Sequence, residues 1–142
     1  MIILPEGSTT DILVYDLPPL GILAELNAQG GLARDRAIIV GYGVSSLGGM
    51  DTSEPDGVRK VATTRIHLLL AFQLMVGAAN GNTDLSGICF GDSGGPLFLE
   101  SDPDMVVAVA SFARIGGCQA WSVHARIDTP SAVAFLAQYL TP

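Results

Sequence analysis

Punctuation limits what this chain folds into more than any other feature. Its apolar runs are short and are closed by glycine, proline or other turn residues. Ile12 to Leu17 stops at Pro18-Pro19, and Ala37-Ile38-Ile39-Val40 stops at Gly41-Tyr42-Gly43. Ser45 to Gly57 carries Gly48-Gly49, Pro55 and Asp56-Gly57 and reads as a surface loop. The 17 glycines and 8 prolines make up about 18 % of the 142 residues, against roughly 12 % in average proteins. So many turns suit a β-rich domain better than a helix bundle. The length fits a single domain, residues 1–142, and 49 % apolar residues supply a core.

Between the turns the pattern is mostly extended. Ile2 to Leu4 reads as a short strand. Val58 to Leu70 alternates, with Ile66, Leu68 and Leu70 on one face and Arg65 and His67 on the other. Gly77 to Gly87 is a loop. Leu97 to Leu99, Met105 to Phe112 and Trp121 to Ile127 are further strands, with Asp102-Pro103-Asp104 as a hairpin turn. Helical spacing occurs twice. Leu20 to Asn27 makes a short helix ended by Gly30-Gly31. Asp128 or Thr129 caps a second one from Pro130 to Leu140. Strands followed by one terminal helix predict an antiparallel barrel or sandwich with a helix laid on it.

Charge and cysteine content exclude several functions. A net charge of −7 gives no electrostatic footprint for nucleic acid or an anionic membrane. The run Leu68 to Phe72 is far short of a membrane span. Met1-Ile2-Ile3-Leu4 has no basic start and is cut by Pro5-Glu6, so no signal peptide is expected here. Two cysteines exclude a multi-cysteine zinc site but allow one bridge. No metal or cofactor is expected.

Chemistry concentrates at Cys89-Phe90-Gly91-Asp92-Ser93-Gly94-Gly95-Pro96-Leu97. A serine flanked by glycines has little steric cover, and glycine lets neighbouring N–H groups converge into an oxyanion hole. Gly91-x-Ser93-x-Gly95 alone fits either a nucleophile elbow or a glycine-rich hairpin turn. The elbow leads into a helix, whereas Gly94-Gly95-Pro96 leads into the strand-like Leu97-Phe98-Leu99. The longer string Gly91 to Pro96 resembles the nucleophile motif of the chymotrypsin/trypsin-like serine peptidases, including the cysteine two positions before the glycine. Ile39-Val40-Gly41-Tyr42-Gly43 is similar to the family's strand ending in Gly-Trp-Gly. Val107 to Phe112 looks like the strand that lies along substrate backbone. Ser122 to Ile127, with the helix after it, is similar to the family's last strand and C-terminal helix.

The resemblance implies an all-β fold: the second of the family's two barrels, an antiparallel six-stranded Greek-key barrel with a C-terminal α-helix. It implies that Ser93 is the nucleophile and that the N–H groups of Gly91 and Ser93 form the oxyanion hole. Asp92 matches a buried carboxylate that shapes the hole in that family by pairing with a new N-terminal ammonium. Substrate-binding positions carried over are Gly87 at the pocket base, Ser111 and Phe112 on the substrate strand, Ala113 and Ser122 at wall positions that are often glycine, and His124 at the back. Gly87 stands where trypsin-type enzymes have aspartate, so small or apolar side chains are expected rather than Arg or Lys. Cys89 and Cys118 match a disulfide joining the pocket walls, with an expected Cα separation of about 4.4–6.8 Å. Two buried free thiols are the alternative. A bridge implies an oxidising compartment, hence a secreted protein, and the resemblance is to the bacterial secreted type of the family.

The same resemblance implies an absence. The family's catalytic histidine and aspartate precede everything matched here, on a first barrel, and Met1 to Leu4 looks like the strand just after that aspartate. His67 reads as an exposed strand histidine. His124 reads as a hydrogen-bonded histidine or a pocket contact rather than a base. Three functions therefore stand: a serine endopeptidase acting on proteins or peptides through an acyl-enzyme, present as an incomplete copy; a peptidase-like binding module without chemistry; and an esterase-type hydrolase. A histidine in a small-residue context followed by Asp-Ile/Leu-Ala upstream would favour the first. Expected partners are the missing barrel or a second copy through the exposed face.

Overall fold

Six strands alternate with short turns around one apolar interior. The computed structural model describes residues 5, 7, 14–44, 57–77, 87–113, 118 and 121–140. The strands are β1 (Arg36–Gly41), β2 (Lys60–Leu69), β3 (Gln73–Val76), β4 (Pro96–Leu99), β5 (Asp102–Ala113) and β6 (Ser122–Arg126). Every neighbouring pair is antiparallel, in the ring order β1-β2-β3-β6-β5-β4, and β4 closes on β1 through Ala37↔Leu99 and Ile39↔Leu97. Closure leaves no unpaired sheet edge. Leu74, Val76, Leu97, Leu99, Val107 and Ala108 fill the interior with Ala37 and Ile39. Each fully buried leucine contributes about 1.5–3 kcal/mol relative to an exposed one. The all-β six-stranded barrel with a C-terminal helix is thus the fold expected.

Two helices flank the barrel. The first, α1 (Ile22–Ala28), starts two residues later than its spacing predicts and adds Leu23 to the core. Its start is held by the β6 exit: Leu23 N–H donates to an Asp128 carboxylate oxygen at 3.0 Å, and Gly21 N–H to the Asp128 carbonyl at 2.8 Å. A 3₁₀ turn, Leu32–Arg34, leads into β1. The second helix, α2 (Pro130–Leu136), is capped by Thr129 Oγ1, which accepts from Ala132 N–H. It ends four residues before the expected Leu140. None of its residues is fully buried, so little packing supports a short helix that is marginal by itself.

Three local expectations are corrected. A bulge between Ile66 and Leu68 resets the period of β2, so Ile66 and Leu69 pack on the core while Leu68 and Leu70 are exposed. The strand β3 falls where no element was expected, directly after a tight turn in which Leu70 N–H donates to the Gln73 carbonyl. The β4–β5 turn is Glu100-Ser101, and Asp102-Pro103-Asp104 already belongs to β5. Asp35 selects that turn by accepting from the Ser101 hydroxyl and amide. Within the expected Ile12 to Leu17 run, Asp16 forms a parallel bridge to Met105. Ile2 to Leu4 lies outside the described residues, as do 45–56 and 78–86 of the two predicted loops.

Candidate active site

The serine loop, residues 89–95, enters β4 and is fixed from two sides. On one side β5 pins it: Gly94 N–H donates to the Ala110 carbonyl at 2.9 Å, and Ala110 N–H to the Gly95 carbonyl at 2.8 Å. On the other side the segment after β1 pins it, because Val44 N–H donates to the Phe90 carbonyl at 2.9 Å. Gly91 sits at φ 97°, a backbone conformation that favours glycine.

Asp92 turns its carboxylate inward. One oxygen accepts from Gly43 N–H at 2.7 Å and the other from Cys89 N–H at 2.8 Å. Gly41 and Gly43 make room for it. A methyl on Gly43 would lie 2.6 Å from the carboxylate and 2.7 Å from the Phe90 carbonyl, and one on Gly41 would overlap the carboxylate. The Gly-Tyr-Gly spacing is therefore a cradle for Asp92. Lys60 was not foreseen in the site. Its Nζ donates to the Gly43 carbonyl at 2.9 Å, bracing the same residue through the peptide that follows it. No local sequence signal marks it, since Lys60 and Gly43 meet only through the β1–β2 register.

The amides of Cys89, Asp92, Gly94 and Gly95 all donate within this framework. Those of Gly91 and Ser93 donate to no acceptor among the described residues, and the exposed Ser93 hydroxyl has no partner among them either. A backbone N–H can stabilise charge on a carbonyl oxygen only when no other acceptor holds it, and these two are unshared among the described residues.

The other expected residues lie on the adjoining strands. Cys89 and Cys118 are bonded, with a Cα separation of 5.0 Å, and so tie the loop to the approach of β6. Gly87 is half-buried at the loop's start, and Ser111, Phe112 and Ala113 are exposed at the end of β5. Register aligns Ala113 with Ser122 and Ala110 with His124. Ser122 and His124 are fully buried, with Ser122 Oγ 3.1 Å from His124 Nε2, while Nδ1 has no partner among the described residues. Burial lowers the His124 pKa to about 4, so the ring is neutral near pH 7. His67 is exposed, and its ring lies 4.3 Å from that of Trp121. Among the described residues no cluster of His, Cys, Asp or Glu is arranged to hold a metal ion.

A family model described as Trypsin matches residues 23–133. No curated protein matches the chain significantly. Three solved structures share its architecture. The scabies mite inactivated protease paralogue S-I1 superposes with a TM-score of 0.57 at 15 % identity, over 87 % of this chain and 51 % of its own. A structure described as GrC gives 0.57 at 19 % identity, over 73 % and 45 %. A structure described as HL collagenase gives 0.57 at 21 % identity, over 87 % and 52 %. The chain spans about half the length of each.

Proposed function

The chain belongs to the trypsin family, and from that premise we propose that it carries the nucleophilic half of a serine endopeptidase acting on protein or peptide substrates. The observation that carries this reading is the pair of unshared amides, Gly91 and Ser93, beside the exposed Ser93 hydroxyl. In the proposed reaction Ser93 Oγ attacks the scissile carbonyl as a base takes its proton. The two N–H groups receive the oxyanion, the amine leaves with that proton, and water hydrolyses the acyl-enzyme. Gly87, with Ala113 and Ser122 narrowing the pocket wall, favours a small or apolar side chain ahead of the cleaved bond. The Cys89–Cys118 bridge suits a secreted protein.

The base is proposed to come from a first barrel that precedes residues 1–142 in the family's architecture. In support, both histidines of the chain are engaged elsewhere, His124 against Ser122 and His67 against Trp121. Apolar side chains on and just after α2, including Phe135, Tyr139 and Leu140, are exposed and would be covered by that barrel or by a second copy. Asp11-Ile12-Leu13 begins like the Asp-Ile/Leu-Ala pattern of the family's orienting carboxylate, so this aspartate competes with one further upstream. Without the base the chain serves as a peptidase-like binding module, and an unassisted serine hydroxyl is a weak nucleophile near neutral pH.

The test is a fluorophosphonate serine probe applied to residues 1–142 alone, and again with an upstream barrel carrying a histidine. Labelling only in the second case, lost in Ser93→Ala, is the expected result. Asp11→Asn in the completed protein then decides which aspartate orients the base. Rapid labelling of residues 1–142 alone, or labelling that survives Ser93→Ala, overturns the reading.

A further inference from the structure

Far from the serine loop, at the opposite end of β1, the barrel surface carries a depression of about 370 Å³ lined by Ala33, Arg34, Asp35, Arg36, Arg65 and Ile66. Three of the chain's seven Lys and Arg residues meet there, on a protein of net charge −7. Arg36 and Arg65 are direct cross-strand partners in the β1–β2 register. Like charges opposite one another destabilise a sheet unless something lies between them.

Nothing in the described chain neutralises them. None of the three guanidiniums makes a hydrogen bond or ion pair among the described residues. Asp35 is the one carboxylate lining the depression, and its oxygens are turned to the Arg36 amide and to the Ser101 amide and hydroxyl. Glu100, whose amide donates to the Arg36 carbonyl, does not line the depression. The depression therefore holds three guanidinium charges against one carboxylate that is already occupied. Guanidinium forks pair with tetrahedral oxyanions through two parallel N–H···O bonds.

We propose that this depression is an anion site for a phosphate or sulfate group, held between Arg36 and Arg65 with Arg34 at its rim. It is a second site, remote from Ser93. The extended span of β1 from Arg36 to Gly41, the residue against Asp92, is about 17 Å at roughly 3.4 Å per residue. Its occupancy is independent of whether Ser93 is a nucleophile.

The experiment titrates inorganic phosphate and sulfate into the full chain at constant ionic strength, with chloride as the balancing ion, by calorimetry and amide NMR. Saturable binding is expected, with shifts at the Arg34, Arg36 and Arg65 amides. Arg36→Gln and Arg65→Gln should each weaken it by roughly tenfold or more. Arg65→Lys keeps the charge but not the fork and should also weaken it. The buried amides of Val107 and Ala108 report that each variant remains folded. A phosphate monoester, methyl phosphate, identifies the source: tighter binding than inorganic phosphate indicates a group carried on a larger molecule, and equal or weaker binding a free ion. A response that chloride reproduces, or affinity unchanged in both Gln variants, overturns the proposal.

Discussion

Asp92 holds the amide of Gly43 at 2.7 Å, across 49 positions of sequence. That bond ties the serine loop to the end of β1. The Gly43 carbonyl is held in turn by Lys60, so Gly43, through the two peptides flanking its Cα, links Lys60 of β2 to the loop. The resemblance implied an N-terminal ammonium as the partner of Asp92; here two backbone N–H groups already occupy the carboxylate.

Gly43→Ala should therefore disturb the serine loop more than an ordinary glycine substitution. Its methyl would meet both the Asp92 carboxylate and the Phe90 carbonyl, and neither is the free end of a flexible side chain. The expected cost is about 1–3 kcal/mol, the range for overpacking. Chemical denaturation reads the cost, and amide exchange at Cys89 should accelerate along with it. Unchanged exchange at Cys89 would show that the cradle does not hold the loop.

The Cys89–Cys118 bridge closes a loop that contains β4 and β5. In the chain-entropy model a loop of about 30 residues stabilises the fold by roughly 3.5 kcal/mol. Reduction, or a Cys89→Ser/Cys118→Ser double variant, should lower the unfolding free energy by an amount of that order. Equal stability of the oxidised and reduced protein would contradict this.

The serine loop was legible in the sequence because its chemistry is contiguous from Cys89 to Pro96. The reason for Gly41 and Gly43 was not, since the carboxylate they accommodate arrives from a distant segment. The strand β3 stayed hidden because the apolar run Leu68 to Phe72 contains both a bulge's aftermath and a hairpin turn, so no period of two survives. Asp102-Pro103-Asp104 has the stronger turn composition, yet Asp35 fixes the turn one step earlier at Ser101. The pairing of Arg36 with Arg65 exists only in the register of two strands. Long-range register is what local pattern does not encode.

A buried ion pair organises the far end of β6. Arg126 donates from Nε and Nη2 to both Asp128 oxygens at 2.8 Å, and from Nη1 to the Leu70 carbonyl at 2.8 Å. The pair thus links the β2–β3 turn to the start of α1. Arg126→Met would leave Asp128 buried without its counter-charge. Breaking one partner of such a pair costs about 3–5 kcal/mol. Calorimetry should show that loss, with the exchange of the Leu23 and Leu70 amides accelerating first. A loss below about 1 kcal/mol, typical of exposed pairs, would show that the pair is solvated in solution.

His124 should make the fold acid-sensitive. Burial lowers its pKa from 6.5 to about 4. As pH falls through 6.5 the unfolded chain takes up a proton at this position, whereas the folded protein does not until about pH 4. Across that window the unfolded state binds more protons, so stability falls with falling pH, and the contribution levels off below pH 4. A shift of this size corresponds to about 3 kcal/mol. The unpartnered Nδ1 offers the incoming proton no acceptor among the described residues, consistent with that direction. His124→Phe removes the titration while nearly conserving volume, at the cost of the contact with Ser122 Oγ. Carboxylates titrate in both proteins, so the difference between their stability curves isolates His124. Denaturant unfolding from pH 7 to pH 4 should show the wild type losing about 3 kcal/mol of stability relative to the variant. Parallel curves across that range would mean that the ring is protonated in the folded barrel well above pH 4.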